Sequence, residues 1–175
     1  MSRSVFPLFI IFTIVFASLS LQASKLDSLK QKLSSYKLVD TVQVNLLNDI
    51  AEIYEEKAND SCLLFANKAL TISQSISYTK GCGRAYSTIG SYYNGKGEYQ
   101  LALANFIDGY KLYEKTNSRR AMSNLMNSMG NTYMGINNTK KAFEAYSKSY
   151  EIASVDSLKI YDGYFFYWFR EYSTS

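Results

Sequence analysis

One order of small and aromatic residues occurs twice, in IGSYYNGKGEYQLALANFIDGYKLY (residues 89–113) and in MGNTYMGINNTKKAFEAYSKSYEIA (residues 129–153). The matching pairs are Gly90 with Gly130, Tyr93 with Tyr133, Ala102 with Ala142, and Phe106 with Tyr146. A single interval of about 40 residues separates all four pairs, and a fixed interval of this length predicts repeated structural units. We call the spacing from Gly90 to Gly130 the repeat interval. A less regular copy lies upstream, where Ala51 and Tyr54 hold the first two positions at an interval shorter by one position.

Each copy predicts two helices joined by a turn. Apolar residues recur at helical spacing on both sides of residues 94–97, where two glycines permit positive φ. In the next copy Asn137 and Asn138 predict the turn, because Asn tolerates the left-handed region. Gly90 and Gly130 fall in mid-helix, where Gly costs about 1 kcal/mol relative to Ala. We therefore expect another helix to pass close to them, with an aromatic ring of the neighbouring unit filling the groove.

This pattern resembles the tetratricopeptide repeat over about residues 41–154. Two stretches carry the resemblance, IGSYYNGKGEYQLALANF and MGNTYMGINNTKKAFEAY. The resemblance implies an all-α, right-handed solenoid of about three helix-turn-helix hairpins. The chain departs from the family in its longer interval, since the family repeat has about 34 residues. It also departs in Thr139, which replaces an aromatic residue.

The units are expected at about residues 41–78, 79–117 and 118–154. Residues 24–40 are interpreted as a leading helix or lead-in, because Leu26, Leu29 and Leu33 share one helical face. Residues 155–175 are interpreted as a C-terminal helix or a truncated fourth repeat. Eight of the twelve residues at 161–172 are aromatic. Such a segment predicts self-association through aromatic side chains that remain exposed.

Residues 1–23 have the order of a secretory signal. Arg3 precedes an apolar run, and small residues follow. Cleavage is expected after Ala23, with cleavage after Ser20 as the alternative. The protein is then exported to the periplasm or secreted. If the segment is not cleaved, its length is about the minimum for a membrane anchor.

Composition argues against several classes of function. The chain has 19 Lys and Arg against 15 Asp and Glu, with no basic block, so nothing indicates nucleic acid as a partner. It has no His, which removes the usual imidazole base and the commonest metal ligand. No P-loop or nucleophile-elbow motif is present. We expect no enzyme activity, no cofactor and no metal, and we interpret Cys62 and Cys82 as buried thiols, although export would permit a disulfide.

The resemblance also implies a binding surface, since proteins of this family use the concave face lined by the first helix of each hairpin. The positions carried over are Asn45, Asn48, Glu52, Glu55, Arg84, Ser87, Ser91, Asn94, Asn124, Asn127, Asn131 and Met134. Side-chain amides both donate and accept hydrogen bonds, so an extended peptide or a protein segment suits this face. The competing interpretation is a solvated polar face without a ligand.

The sequence therefore predicts an exported scaffold that binds a protein or peptide. The alternative is a truncated or detached sensory input module of a membrane-bound signalling protein, either a sensor histidine kinase or a transcription regulator. The stretch LDSLKQKLSSYKLVDTVQVNLLNDIA resembles the extracytoplasmic repeat regions of such proteins.

Overall fold

The computed structural model describes residues 24–56 and 59–154, and all regular structure in this part of the chain is α-helical. The predicted all-α class is confirmed for these residues. The helices are α1 (residues 24–35), α2 (Thr41–Glu56), α3 (Ser61–Ser75), α4 (Thr79–Gly95), α5 (Tyr99–Lys115), α6 (Arg119–Gly135) and α7 (Thr139–Ser154). None of the described helices is both long enough and apolar enough to cross a membrane. The expected signal at 1–23 and the aromatic segment at 155–175 lie outside the described residues.

The ends of α3, α4, α5 and α6 share one turn. A residue with positive φ follows each helix: Ser77, Gly97, Asn117 and Asn137. The next N–H donates to the carbonyl five residues earlier, as Glu98 does to Tyr93 at 2.9 Å. This is the Schellman arrangement, which satisfies carbonyls that the helix end leaves open. The expected positive φ near Gly97 and Asn137 is confirmed, and these turns recur at half the repeat interval.

From α2 to α7, consecutive helices pack against each other, most extensively within the pairs α2/α3, α4/α5 and α6/α7. The first helices of these pairs also meet, because α2 contacts α4 and α4 contacts α6. In the described residues no Cα atoms within 8 Å join α3 to α5 or α5 to α7. The three pairs are thus held together along their first helices and by the contacts of α3 with α4 and α5 with α6.

Mid-helix glycines admit aromatic rings, as expected. A Cβ on Gly90 would lie 2.5 Å from ring carbons of Phe106, and one on Gly130 would lie 2.5 Å from a ring carbon of Tyr146. The predicted source of the ring is wrong, however. Phe106 and Tyr146 belong to the second helix of the same pair, because the two helices of a pair cross where the glycine lies. Each glycine therefore lets the two helices of its own hairpin pack closely, rather than joining one hairpin to the next.

A second close crossing lies about two turns earlier in α4 and in α6. In the pair α4/α5, a Cβ on Gly109 would lie 3.2 Å from the carbonyl oxygen of Gly83. One repeat interval later, in α6/α7, two buried serines hold these positions. The Ser123 hydroxyl donates to the Ser149 carbonyl at 3.0 Å, and the Ser149 hydroxyl donates to the Ser123 carbonyl at 2.8 Å.

Candidate binding face

Most of the residues predicted to bind a ligand lie on a partly exposed surface of α2, α4 and α6, which we call the first-helix face. Asn124 and Asn131 are exposed. The half-buried members are Asn45, Glu52, Glu55, Arg84, Ser87, Ser91, Asn94, Asn127 and Met134. Because α2 contacts α4 and α4 contacts α6, these side chains belong to neighbouring helices.

Asn48 is the exception, and its predicted place on the surface is wrong. The side chain is fully buried, and its amide donates to the carbonyl oxygen of Gly81 at 3.3 Å. Gly81 has no side chain, so the backbone of α4 comes close enough to α2 to cover this position. Asn48 therefore joins two helices and is closed to a ligand in this arrangement.

Arg84 is the cation of the face and is held by two carboxylates of α2. Its Nε and Nη2 donate to the two oxygens of Glu52 at 2.6 Å each, and Nη2 also donates to Asp49 at 2.6 Å. Burial lowers the pKa of Arg84, but the hydrogen bonds and charges of Glu52 and Asp49 outweigh burial and raise it above its usual range. The guanidinium is therefore already neutralised and unsuited to capture an anion.

Sequence reasoning did not identify Asp49 as part of this site. The residue lies three positions before Glu52, so both carboxylates share a helical face. This spacing could have identified Asp49 from the sequence, since its carboxylate lies about one helical turn from that of Glu52. The two carboxylates exceed the single guanidinium by one negative charge.

Glu55 increases the negative charge at the α2 end of the face. Burial raises the pKa of its carboxyl, and the charges of Glu56 and Glu52 act in the same direction. With Asp49, Glu52 and Glu55 on one side and Arg84 on the other, the α2 end favours a cationic group over an anionic one.

Tyr113 also reaches this face, although it belongs to the second helix α5. Its ring lies against Gly83, where a Cβ would be 3.0 Å from a ring carbon. Burial raises the pKa of Tyr113 to about 12, although a hydrogen bond with Ser87 and the charge of Arg84 both lower it. The phenol therefore stays neutral at physiological pH. Its signal in the sequence was Gly83, the small residue that admits the ring.

The members of the face on α6 are uncharged, and three of the four carry side-chain amides. The Thr132 hydroxyl donates to the Asn94 side-chain oxygen at 2.9 Å and joins α6 to α4. The Tyr146 hydroxyl donates to the Asn131 side-chain oxygen at 2.6 Å. In both cases the amide oxygen accepts from within the protein. In the part of the chain that the structure describes, Asn124 and Asn127 show no such bond to another helix, so their side-chain oxygens can still accept a hydrogen bond from a ligand.

At the α2 end, the side-chain oxygen of Asn45 also accepts a hydrogen bond from within the protein, because the Tyr78 hydroxyl donates to it at 3.4 Å.

The two cysteines lie away from the surface and are not bonded to each other. Burial, followed by the charges of Glu55 and Glu52, raises the pKa of Cys62 to about 12, so this thiol is unreactive at neutral pH. In the described ranges no group of three or more His, Cys, Asp or Glu is arranged to hold a metal ion.

Comparison with protein-family models gives no match, and comparison with curated proteins gives none either.

Proposed function

We propose that the three helix pairs form a right-handed solenoid resembling tetratricopeptide repeats, and that the first-helix face binds an extended peptide without catalysis. The observation that carries the proposal is the order of helix contacts. The first helices touch one another, whereas α3, α5 and α7 do not. Such packing favours a curve with α2, α4 and α6 on its inner side, which is the side that these repeats use for binding.

The charges on the face specify the peptide further. Glu52 and Asp49 bind the guanidinium of Arg84, and Glu55 adds a third carboxylate on α2, so a Lys or Arg side chain or an amino terminus suits this end. At the α6 end, Asn124 and Asn127 can donate to and accept from a peptide backbone. The proposed ligand is therefore an extended segment with a basic group toward α2 and few side-chain requirements toward α6.

A peptide library displayed on phage, selected on the purified chain, tests this function. Selected peptides are expected to be enriched in Lys and Arg and depleted in Asp and Glu. The double variant Asn124→Ala/Asn127→Ala should weaken the binding of individual peptides by about tenfold or more, since removing one partner of a hydrogen bond in an interface costs about 1–3 kcal/mol.

The matched control is Asn67→Ala/Gln74→Ala, which removes two exposed amides from α3 instead. It should bind the selected peptides as the unmodified protein does. Equal binding by both double variants, or selection of acidic peptides, would overturn the proposal. Circular dichroism and thermal melting of all three proteins establish that the comparison is made on folded chains.

Export stays a prediction of the sequence and belongs to the same proposal. Mass spectrometry of protein from the native host should find a new amino terminus at Ser24 or Leu21. An intact Met1 on soluble protein in the cell envelope would contradict cleavage.

A further inference from the structure

The first helices of the three pairs run in the same direction, so their starts lie at one end of the molecule. The Tyr78 hydroxyl, next to the start of α4, donates to Asn45 near the start of α2 at 3.4 Å. The Thr132 hydroxyl near the end of α6 donates to Asn94 near the end of α4 at 2.9 Å. We call the end at which α2, α4 and α6 begin the basal end. The short connections before α4 and α6 place the ends of α3 and α5 there as well.

Three apolar side chains protrude at the basal end, in the connection from α1 to α2 and in the first turn of α2. Leu38 is 64% exposed, Val39 is 61% exposed and Val42 is 47% exposed. We call these three residues the apolar tip. Leu38 and Val39 are neighbours in a stretch without regular structure, and both are mostly open to water. The tip therefore projects from the protein instead of lining a groove.

Asp40 holds the connection that carries the apolar tip. Its carboxylate accepts a hydrogen bond from the Tyr36 hydroxyl at 2.6 Å. It also accepts from the backbone N–H groups of Val42 and Gln43, at 2.9 Å and 3.1 Å, which caps the start of α2. The tip is thus presented in a fixed place, and the carboxylate nearest to it already has three donors.

Exposed cations share the basal end with the apolar tip. They are Lys37 beside Leu38, Lys80 at the start of α4, Lys115 at the end of α5 and Arg120 at the start of α6. The first turns of α2, α4 and α6 contain no acidic residue. Glu114 and the engaged Asp40 are the carboxylates beside these cations, so positive charge is in excess there.

We propose that the basal end docks on the surface of an anionic lipid bilayer, with the apolar tip at the boundary between headgroups and acyl chains. Apolar side chains gain by leaving water, and Lys and Arg gain from the negative potential of the lipid phosphates. The two contributions reinforce each other, because neither a small apolar tip nor a few cations alone gives stable attachment. The first-helix face lies along the helices and stays open to a peptide.

The form of the apolar tip favours a bilayer over an acidic protein as the partner. A protein would have to offer a cavity shaped for side chains that project this far, because protein interfaces are packed as closely as protein interiors. A bilayer interface is fluid and adapts to a projecting apolar group without such a cavity. The excess of cations around the tip is common to both partners, so the apolar contribution distinguishes them.

A fluorescent probe whose emission depends on polarity tests the orientation. It is attached to the full chain at Val39→Cys and, as the matched control, at Gln100→Cys, an exposed site at the start of α5 and thus at the opposite end. The native Cys62 and Cys82 are buried and do not compete for the label. Vesicles that contain phosphatidylglycerol should shift the emission at position 39 to shorter wavelength, whereas the probe at position 100 should not respond.

Sedimentation with the same vesicles tests the charges. Lys80→Gln/Arg120→Gln should weaken binding by about tenfold or more, since each cation near an anionic surface contributes about fivefold. Lys140→Gln/Lys141→Gln removes equal charge from the start of α7, at the opposite end, and should bind as the unmodified chain does. Vesicles of phosphatidylcholine alone should bind much more weakly. The apolar run at residues 1–23 is the same in every protein compared, so it does not create these differences.

The apolar contribution is tested by Leu38→Ser/Val39→Ser, which should also weaken vesicle binding by about tenfold or more. The control Leu64→Ser removes an exposed apolar side chain from α3 and should have no effect. Equal response of both probes, or of neither, would overturn the proposal. Sensitivity to the basic residues without sensitivity to the tip would overturn it as well, since the basal end would then be an ionic surface for an acidic macromolecule.

Discussion

The helix pairs α4/α5 and α6/α7 have the same backbone arrangement, but different residues lie where their two helices cross. Where α4 and α5 cross, Gly83 and Gly109 bring two backbones together without side chains. Where α6 and α7 cross, Ser123 and Ser149 exchange buried hydrogen bonds. The side chains at this crossing must therefore be small in both pairs. They can be polar if both buried hydroxyls are hydrogen-bonded.

The aromatic positions of the two pairs differ in a similar way. Phe106 is 1% exposed against Gly90, whereas Tyr146 is half-buried against Gly130 and donates its hydroxyl to Asn131. A closed apolar contact in one pair therefore corresponds to a more open, partly polar contact in the other. We expect α4/α5 to tolerate changes at the crossing less well than α6/α7.

The largest difference is expected from adding one methyl group at the glycines. Gly90→Ala should lower the free energy of unfolding by about 1–3 kcal/mol, because the ring of Phe106 is enclosed and cannot move aside. Gly130→Ala should cost less, because the ring of Tyr146 is half-buried and so less enclosed than that of Phe106, and because Ala is favoured over Gly in a helix by about 1 kcal/mol. Urea denaturation of the two variants measures the difference.

Gly95→Ala supplies the control for helix propensity. This residue ends α4, and a Cβ there would have no neighbour within 4 Å. The change should be neutral or stabilising by up to about 1 kcal/mol. Equal losses at Gly90 and Gly130 would show that the two pairs do not differ in rigidity.

The next effect concerns the serine crossing. Ser123→Ala should cost about 1 kcal/mol, the typical net value of a hydrogen bond. The double variant Ser123→Ala/Ser149→Ala should cost less than the sum of the single changes, because the two hydroxyl oxygens also lie 3.0 Å apart and either single change already removes that contact. Ser75→Ala, at an exposed position with only a local bond, should change stability by less than about 0.5 kcal/mol. Strict additivity in the cycle would indicate that the two hydroxyls act independently.

A smaller change should make α6/α7 resemble α4/α5 more closely. Tyr146→Phe removes the hydroxyl that donates to Asn131 and keeps the ring against Gly130. Since Asn131 is exposed, water can replace the lost bond, and stability should change by about 0.5 kcal/mol or less. Thermal melting measures it, and a loss above about 1.5 kcal/mol would mean that this surface bond contributes as a buried one does.

The smallest expected effect on stability comes from Glu55 in the pair α2/α3, and it depends on pH. Because the folded pKa of Glu55 is raised, its charged form opposes folding. The stability associated with Glu55 is present below the ordinary carboxyl pKa of about 4.3 and is lost as pH rises through the folded value. Glu55→Gln should therefore stabilise the protein at pH 7, with the gain vanishing toward pH 4. A gain that persists at low pH would assign the effect to something other than charge.

Local chemistry made several features predictable from the sequence. Gly97 and Asn137 have the positive φ that their residue types indicated, and the α-helical class that the spacing of apolar residues predicted is confirmed. Gly130 meets a ring as expected, since a mid-helix glycine needs a compensating contact. These features depend on residue type and on neighbours close in the chain, and both are visible in a single sequence.

Features that depend on opposing elements were not predictable in this way. Asn48 was expected at the surface because the family resemblance places this helical position on the binding face, whereas its burial depends on Gly81 in another helix. The partner of Gly130 was placed in the wrong unit because spacing does not show which helix supplies a ring. Asp49 was missed because its importance comes from Arg84, which lies in the next helix pair.

The separation of α3 from α5, and of α5 from α7, has a mechanical consequence. When neighbouring helix pairs contact each other through their first helices and through the second helix of one pair and the first of the next, but not through their second helices, they can change their relative angle more easily than pairs joined on both sides. In this molecule, changing the angle between neighbouring helix pairs would stretch no direct contact among α3, α5 and α7, because none exists there. The angle between neighbouring helix pairs is therefore set by the contacts of α2 with α4, α3 with α4, α4 with α6 and α5 with α6 alone, so a change in those few contacts would be enough to change it.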